Sequence, residues 1–493
     1  MRTPDFDWLE MKGGGRIYPH IPPTGAGRTL NGKGYLTMSP LNESALKAGD
    51  LAALAGSLQG EVACPGTAAY ESARRIWNAA VDHHPAVIAR CVSVQDVQQA
   101  VRFAGEHGMP VSVRAGGHSI AGHSVGDGSV MIDLSSVSYI DIDPRARRMN
   151  VAGGTTWGDV MERCAPYDLA TPGAFNQHVG VSGLTLGGGY GALTRLHGLA
   201  CDNLIEAEIV TADGALRKVS ETEDPDLFWA LRGAGANFGV VTSLTFNLHQ
   251  VMRWLAGSTT WPVARYRQVL DFYRDYVADL PDQATAYMGI RNTPRHEGFV
   301  FIFAFYAGPL DEGERVLAPL RRFGPPMSVD IRPRSYVELH DNNVEAFPEG
   351  HHNYWRACFL PGLENGALNV LSEYAKSTAG SDFYILIEHL GGAMARLAPD
   401  ATAFPHRDAP FGLAVACKWR KPADADPLIR NASALHDAMW PYSTGGMYVN
   451  YLGASGCADE PRAAYGANLG RLSQLKRRYD PQNVFRFNVN IAP

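Results

Sequence analysis

The sequence has few of the cysteines that build disulfide frameworks or zinc sites. It contains seven in 493 residues, an odd number, and no two of them have Cys-x-x-Cys spacing. A disulfide framework needs paired cysteines and a structural zinc site needs clustered ones, so both are excluded. A reduced protein of the cytoplasm is therefore predicted. The cysteines are Cys64, Cys91, Cys164, Cys201, Cys358, Cys417 and Cys457.

Long apolar runs and an excess of charge are also absent. No run approaches the ~20 apolar residues that cross a bilayer, and the first residues include acidic side chains but no apolar core, unlike a secretory signal. The formal net charge is -6 and the pI is near 6.2, which gives no electrostatic reason to bind nucleic acid. The composition, 45% hydrophobic and 19% charged, is that of a globular protein. We predict a small-molecule substrate and neither a membrane nor a nucleic-acid partner; the oligomeric state stays open.

Hydrophobic periodicity divides the chain into four segments. Residues 1–47 lack periodicity and are predicted to form an irregular arm. Residues 48–250 alternate short strands, hairpins and helices, whereas residues 251–445 alternate long helices and strands, as an antiparallel sheet with helices on one face would. Residues 446–493 contain a helix followed by an extended tail, and Asp480-Pro481 is expected to end that helix.

Local signals place several boundaries in the second segment. Ser93 is expected to cap the amphipathic helix that follows a buried strand, and Asp224 is expected to cap a second helix. Two alternating stretches, Tyr139–Gly153 and Ile205–Ser220, are predicted hairpins, the second turning at Asp213-Gly214.

Three glycine-dense loops lie within this segment, at residues 114–123, 180–191 and 233–239. Glycine lets a ligand approach the backbone, so such loops commonly bind phosphates through their N–H groups. Each loop alone is equally well explained as a tight turn, but three together favour a nucleotide cofactor. A Rossmann fold is disfavoured, because "GAGANFG" follows a helix and no acidic residue stands at the required distance on a second strand.

Four separated motifs carry a family resemblance. They are "RAGGHS", "VGVSGLTLGGGYGALTRLHGLACDNL", "LRGAGANFGVVTSLTF" and "LKRRYDPQNVFRFNVNI". In this order they resemble the vanillyl-alcohol oxidase / p-cresol methylhydroxylase flavoprotein superfamily, and within it the berberine-bridge-enzyme-like branch. The resemblance covers about residues 82–247 and 405–493. It implies an α+β chain: a p-cresol-methylhydroxylase-type FAD-binding fold of two α/β subdomains, 48–250 joined by 446–493, and an antiparallel-sheet substrate domain, 251–445, with helices on one face.

The resemblance also implies the cofactor and its anchor. In this family the histidine of the "GGH" loop is bound covalently to the 8α-carbon of FAD, and here that residue is His118. Glycines on its N-terminal side would let the backbone lie against the pyrophosphate. The residues expected to bind the cofactor are His118, Arg114, Ala115, Gly116, Gly117, Ser119, His123, Ser124, Val179, Gly180, Ser182, Gly183, Gly189, Tyr190, Val240 and Asn488.

One position departs from the family pattern. Many members carry a second link from a cysteine in Cys-x-x-Val-Gly, and the aligned stretch here is "NQHVG", with Asn176 in place of the cysteine. We therefore predict FAD held by a single covalent histidyl link. Val179 holds the family's oxygen-gating position, where valine goes with oxidases, although it is also an ordinary core residue. The predicted acceptor is dioxygen, with hydrogen peroxide as by-product.

The proposed base lies in a stretch expected to be a strand, Gly446–Gly453. Its Tyr-x-Asn-Tyr pattern resembles the one that lines the flavin's substrate face in the family, and Tyr451 matches the catalytic tyrosine. A tyrosine pKa of ~10 is too high for a base at neutral pH, so the site would have to stabilise the phenolate. Tyr448 is expected to position the substrate; alternatively, the two tyrosines lie on opposite faces of the strand and one is core.

Other residues rank lower. Glu388, His389, His406 and the strand up to Trp419 are candidates to line the pocket, and Glu388 or His389 could assist proton transfer, but a strand turns one of that pair away. Adjacent histidines point apart on an extended backbone, so no metal site is predicted.

The predicted function is an FAD-dependent oxidase that removes a hydride from an alcohol or amine C–H of a small secondary-metabolite or catabolic substrate. The alternatives are a carbohydrate oxidase on the same scaffold, a flavin-holding cyclase with no net oxidation, and a binding protein on a disabled scaffold.

Overall fold

The structure, a computed structural model, describes residues 46–251, 253–292, 298–340, 346–378, 380–453 and 460–493. The predicted arm lies outside these residues apart from Leu46 and Lys47, as does Cys457. No helix within the described ranges combines the length and the apolar character needed to span a bilayer.

The first layer is a four-stranded sheet with the order β1-β2-β4-β3. Strands β2, β4 and β3 are parallel, and β1 pairs antiparallel with β2. The helix over this sheet begins as predicted, because the Ser93 hydroxyl accepts a hydrogen bond from the amide of Asp96 at 3.2 Å. The elements are α1 (Ala48–Ser57), β1 (Glu61–Ala63), α2 (Ala68–Ala73), β2 (Val87–Arg90), α3 (Val94–Glu106), β3 (Val111–Arg114) and β4 (Val130–Asp133).

The second layer is an antiparallel five-stranded sheet with the order β5-β6-β10-β8-β9. Both predicted hairpins are present, as β5–β6 and β8–β9. Asp224 precedes a helix as expected, but its side chain does not cap it; its carboxylate accepts a hydrogen bond from Tyr479 instead. The elements are β5 (Ile140–Asp143), β6 (Arg148–Ala152), α4 (Trp157–Cys164), β7 (Leu169–Ala170), α5 (Val181–Leu186), α6 (Thr194–His197), β8 (Leu204–Val210), β9 (Leu216–Ser220), α7 (Pro225–Ala234), β10 (Val240–Asn247) and β11 (His249–Gln250).

The third layer is a seven-stranded, fully antiparallel sheet with the order β15-β12-β14-β13-β17-β18-β16. Apolar side chains of its helices pack on one face in a single buried cluster, which confirms the sheet with helices on one face. The elements are β12 (Trp254–Pro262), α8 (Tyr266–Val277), β13 (Ala284–Asn292), β14 (Phe299–Tyr306), α9 (Leu310–Arg322), β15 (Ser328–Arg334), β16 (His352–Leu360), α10 (Asn365–Ser377), β17 (Phe383–His389), β18 (Phe411–Trp419) and α11 (Ala425–Met439).

The opposite face of the seven-stranded sheet turns toward the first half of the chain. On β13, the Tyr287 hydroxyl donates to the carbonyl of Gly191 at 3.4 Å. On β14, the Phe303 ring lies 6.2 Å from the ring of Phe175. Because strand side chains alternate between faces, every second residue of these strands is directed at the glycine-rich half of the molecule.

The C-terminal segment packs back onto the first sheet. After α12 (Glu460–Tyr465), helix α13 (Leu469–Tyr479) ends next to Asp480-Pro481, as predicted. The amide of Val111 then donates to the carbonyl of Val484 at 2.9 Å, which places the tail beside β3. The exact domain boundaries remain a prediction.

Candidate active site

Two of the predicted glycine loops touch each other through bare backbone. A Cβ added at Gly116 would lie 2.4 Å from the amide nitrogen of Gly180, and one added at Gly180 would lie 2.6 Å from the amide nitrogen of Gly116. Gly117 has a φ of +66°, in the left-handed region that favours glycine. The loop after β3 and the start of α5 are therefore brought together by a contact that only glycine permits.

The loop carrying His118 presents unused hydrogen-bond donors. Within the described part of the chain, none of the backbone amides from Gly116 through Ala121 donates a hydrogen bond to the protein. The Ser119 hydroxyl accepts from the amide of His123 at 2.9 Å and keeps its own proton free to donate. Ser124 Oγ is buried and has no partner among the described residues. Buried donors without partners are rare, so this row of amides fits the phosphate oxygens of a nucleotide cofactor.

His118 is held between two other rings at the edge of this loop. Its imidazole stacks on Trp77, with centroids 5.1 Å apart and planes inclined by 19°, and lies 6.3 Å from the ring of His178. Burial and the nearby His178 lower the pKa of His118 to about 4. The ring is therefore neutral near pH 7, so a ring nitrogen keeps the lone pair that a covalent bond requires.

Ser182, Arg114 and Asn488, three other predicted cofactor residues, already make hydrogen bonds within the protein. Ser182 Oγ already donates to the carbonyl of Gly153, and the Arg114 guanidinium donates to the carbonyl of Ala73. Asn488 donates to the carbonyls of Ala236 and Phe485, which leaves its Oδ1 buried without a partner among the described residues.

Val240, Val179 and Gly183 could meet a cofactor only through backbone or apolar contacts, because none of them has a polar side chain. Val240 packs in the core cluster that joins the first two sheets, so only its backbone could reach a cofactor. Val179 is half-buried, and its carbonyl accepts from the amide of Trp157 at 3.0 Å. Gly183, on α5, is exposed, and no protein atom lies within 4 Å of a Cβ added there.

The stretch predicted as a strand at Gly446–Gly453 is instead a 3₁₀ turn at Val449–Tyr451. The amide of Tyr451 donates to the carbonyl of Tyr448 at 3.0 Å. Side chains at i and i+3 of a 3₁₀ turn eclipse each other, so both tyrosines face the same way. Their rings lie 5.1 Å apart, edge to face, which corrects the alternative that they point to opposite faces.

These two tyrosines join Tyr190 from the second glycine loop. Tyr190 stacks on Tyr448 at 4.3 Å and meets Tyr451 edge-on at 5.7 Å. The Tyr448 hydroxyl accepts from the amide of Gly189 at 3.2 Å and from the Asn450 side chain at 2.8 Å. Tyr448 therefore ties the turn to the glycine loop, which agrees with a positioning role.

Glu388, on β17, stands at the centre of the tyrosine cluster. It is 2% exposed and accepts hydrogen bonds from Tyr190 at 2.7 Å and from Tyr451 at 3.0 Å. Burial raises the pKa of Glu388 to about 7, against the opposing effect of the two tyrosine hydrogen bonds. A carboxyl group of this pKa exchanges protons near neutral pH, as a general base must.

The phenolate expected at Tyr451 is opposed by its surroundings. Burial raises the pKa of Tyr451 well above its ordinary value, and the charge of Glu388 raises it further. No cation among the described residues forms an ion pair with either group. Glu388 is therefore the proton acceptor whose pKa lies near neutrality. Sequence reasoning ranked it low because no local pattern indicates that its side chain is buried.

Glu388 and His389 lie on opposite faces of β17, as strand alternation requires. His389 stacks near Phe411, and its Nε2 lies 3.1 Å from the Arg195 guanidinium. His406 Nε2 lies 3.0 Å from the carbonyl of Ala464, and its ring lies 4.7 Å from the ring of Phe359, which packs in the same cluster as Tyr190 and Tyr448. In the part of the chain that the structure describes, no group of three His, Cys, Asp or Glu side chains could hold a metal ion.

Comparisons with known proteins agree with this geometry. A family model described as "FAD binding domain" matches residues 85–220, and one described as "Berberine and berberine like" matches residues 447–492. The chain is 33% identical to (R)-6-hydroxynicotine oxidase of Paenarthrobacter nicotinovorans, over 89% of this chain and 97% of the relative. It is 29% identical to a chitooligosaccharide oxidase of Gibberella zeae, over 85% and 89% of the two chains.

Solved structures show the same fold. The crystal structure of 6-hydroxy-D-nicotine oxidase from Arthrobacter nicotinovorans superposes with a TM-score of 0.81 at 32% identity, covering 89% of this chain and 98% of that one. The BBE-like 1 protein of Physcomitrella patens superposes with a TM-score of 0.82 at 23% identity, covering 90% and 99%. At that identity the second match supports the fold alone.

Proposed function

Since the chain belongs to the berberine-bridge-enzyme-like branch of the vanillyl-alcohol oxidase / p-cresol methylhydroxylase flavoproteins, it is an FAD-dependent oxidase, and we propose that Glu388 and Tyr451 together remove the substrate proton. The observation that carries this proposal is the hydrogen bond from Tyr451 to a buried carboxylate whose pKa is near neutrality. Its substrate is a small organic molecule with an alcohol or amine C–H, and its electron acceptor is dioxygen.

The residues present fit FAD. The unpaired amides of Gly116–Ala121 would hold the pyrophosphate, with the Ser119 and Ser124 hydroxyls beside them. The neutral imidazole of His118 would form the single covalent link, because Asn176 offers no thiol for a second one. When bound, FAD would supply the redox chemistry, namely acceptance of a hydride from the substrate carbon and reduction of dioxygen to hydrogen peroxide.

The proton leaves through the chain's own residues. Tyr451 is only half-buried whereas Glu388 is buried, so the tyrosine is the member of the pair that a substrate can reach. Its hydroxyl receives the substrate O–H or N–H proton while it passes its own to Glu388. This relay never needs a free phenolate, which the surroundings of Tyr451 disfavour. Tyr190 holds the second oxygen of Glu388 and so fixes the carboxylate plane.

The substrate class is narrowed by similarity. A hydroxynicotine oxidase is 33% identical to this chain, whereas chitooligosaccharide and glucooligosaccharide oxidases are 29% and 28% identical. We favour an apolar amine or alcohol of catabolism or secondary metabolism; carbohydrate oxidation is the second candidate, supported by these two relatives. The cyclase alternative would consume no oxygen.

The first test is acid precipitation of the purified protein. We expect yellow colour in the pellet and one peptide, containing His118, that is heavier by one FAD. His118→Ala should lose the acid-stable colour, whereas His178→Ala, at the exposed neighbouring ring, should keep it. A second flavin-bearing peptide, or flavin released entirely into the supernatant, would contradict the single histidyl link.

The second test concerns the substrate. The holoenzyme is mixed without oxygen with (R)-6-hydroxynicotine, with chitooligosaccharides and with aryl alcohols, and bleaching of the flavin absorbance is followed. The favoured class should bleach the flavin and, in air, release peroxide. Bleaching by the sugars alone would move the assignment to the second candidate.

A further inference from the structure

Two cations lie on the same face of the seven-stranded sheet as Glu388. Arg291 on β13 is the register partner of Tyr384 on β17, four residues before Glu388 on the same strand. The ammonium of Lys418, on β18, lies 5.3 Å from the ring centre of Tyr384, and the Arg291 guanidinium lies 5.8 Å from it. Side chains an even number of residues apart on a strand point to the same face, so Tyr384 and Glu388 share a face of the sheet. The two cations beside Tyr384 therefore lie on the face of Glu388.

Neither cation is neutralised by an ion pair within the described residues. Lys418 is 7% exposed and donates one hydrogen bond, to the carbonyl of Ala346, so two of its N–H groups have no acceptor among the described residues. Burial lowers the pKa of Lys418, and the nearby Arg291 and Arg420 oppose the effect of Asp382. Arg291 Nε is buried and has no partner among the described residues. Lys418 is buried and Arg291 is half-buried, and two such cations without an ion pair among the described residues point to an anionic ligand at this end of the sheet.

The cations and the carboxylate are separated by an apolar stretch. Tyr384 and Glu388 are four residues apart, a distance of ~13 Å along an extended strand. Leu386, between them on the same face, is only half-buried although its strand is central. Phe301 on β14 and Trp355 on the edge strand β16 are half-buried as well. The Trp355 ring also lies 5.3 Å from Tyr451. An apolar body of about this length would therefore cover these side chains.

The cationic end is also the end nearest His118. Lys418 lies 5.6 Å from the ring of Phe347, whose carbonyl accepts from Trp77 Nε1 at 2.9 Å, and Trp77 stacks on His118. The charged pair therefore lies at the His118 end of this sheet face, beside Tyr384 and four strand positions before Glu388.

From this arrangement we propose that the substrate is an organic acid with an apolar body, whose carboxylate is bound by Lys418 and Arg291 while the carbon to be oxidised lies at Tyr451 and Glu388. The proposal rests on the proposed function and names its substrate class. A neutral oligosaccharide has neither the apolar body nor the anion that this surface complements.

The test is calorimetric titration of the holoenzyme with phenylhexanoate and with phenylhexanamide, its neutral amide of the same shape. We expect the acid to bind about tenfold more tightly than the amide, since a charge-assisted hydrogen bond is worth ~1.5–3 kcal/mol. Lys418→Met and Arg291→Met should each reduce this preference to about threefold or less. Lys421→Met, which removes an exposed lysine three positions away, should leave it unchanged.

Equal binding of acid and amide by the wild-type holoenzyme would overturn the proposal, as would an acid preference that survives both Lys418→Met and Arg291→Met. If Lys418→Met fails to fold, the wild-type ratio and Arg291→Met still decide. The calorimetric signal does not depend on redox chemistry. A protein that lacks flavin but prefers the acid would therefore contradict the proposed function and not the acid site.

Discussion

Burial, more than residue type, decides the chemistry of individual side chains in this site. Glu388 and Tyr451 would ordinarily titrate more than five pH units apart, near ~4 and ~10. Burial raises the pKa of Glu388 to about 7 and raises that of Tyr451 out of the working range. In the proposed proton transfer, Tyr451 therefore passes the substrate proton on and Glu388 is its final acceptor.

The raised pKa of Glu388 predicts a dependence of stability on pH. Below the unfolded value of ~4.5 both states are protonated, and above about 7 both are ionised, so the native state loses about 3 kcal/mol as the pH rises between them. Glu388→Gln should not show this loss. The measurement is urea unfolding of both holoproteins at pH 4.5 and 8, and parallel curves for the two proteins would refute the assigned pKa.

Substituting Gly183 tests the cofactor site with a change that the fold should tolerate. Nothing in the protein lies within 4 Å of an added Cβ, so Gly183→Ala should fold at least as well as the wild type, helped by up to ~1 kcal/mol of helix propensity. If FAD lies against this turn, the purified variant should carry less flavin. Gly105→Ala, in the last turn of α3, where an added Cβ also meets nothing within 4 Å, is the control and should keep full flavin. Full flavin in both variants would remove Gly183 from the site.

At the scale of elements, a short 3₁₀ turn and the C-terminal helix do most to assemble the site. The turn at Val449–Tyr451 aligns Tyr448 with Tyr451, which a strand would have separated. Helix α13 holds the returning tail through Lys476, whose ammonium donates to Asp480, to the carbonyl of Asn237 and to that of Phe485. Asn488, whose Oδ1 has no partner among the described residues, lies in that tail.

Removing the Lys476–Asp480 ion pair tests how much the stability of the tail depends on these hydrogen bonds. Both side chains are fully buried, so Lys476→Met leaves an uncompensated carboxylate and should cost about 3 kcal/mol of unfolding free energy. Flavin content should fall with it, because the tail carries Asn488. Arg477→Met, on the exposed side of the same helix, should change stability by less than ~0.5 kcal/mol. Equal effects of the two substitutions in denaturant unfolding would show that the pair is not a structural tie.

At the scale of the whole molecule, the site exists only where the seven-stranded sheet meets the glycine loops. Arg195, on α6, reaches across this junction and donates to the carbonyls of Leu280, Ala284 and Leu390. Leu390 lies two residues beyond Glu388, so the same guanidinium that joins the layers also fixes the end of the strand that carries the base.

Replacing Arg195 should therefore loosen the junction. Arg195→Met leaves three carbonyls without their donor and should cost about 2–4 kcal/mol. Arg195→Lys should recover part of that loss. Arg396→Met breaks an exposed ion pair with Asp282 and should cost less than ~1 kcal/mol. Chemical unfolding of the three variants is the measurement, and an Arg195→Met protein as stable as Arg396→Met would mean that the junction is held elsewhere.

Much of the fold followed from local patterns. Ser93 starts its helix, Asp480-Pro481 follows the end of α13, and both predicted hairpins form, because caps, proline and alternation act within a few residues. The family motifs led to FAD and to the His118 loop. The side-chain cap at Asp224 and the strand at Gly446–Gly453 were wrong, since the first depended on Tyr479 and the second on packing against Tyr190.

By itself the sequence determined the family, the cofactor and the element order, since these depend on residues close together in the chain. Only the tertiary structure decided which groups form the site. Glu388 contacts Tyr451, 63 positions away in the sequence, and Tyr190, 198 positions away. Its pKa is raised by burial, which the residues next to it in the sequence do not predict. Lys418 and Arg291, which form no ion pair among the described residues, could be recognised only in the structure for the same reason: charge compensation and desolvation are properties of the folded surroundings.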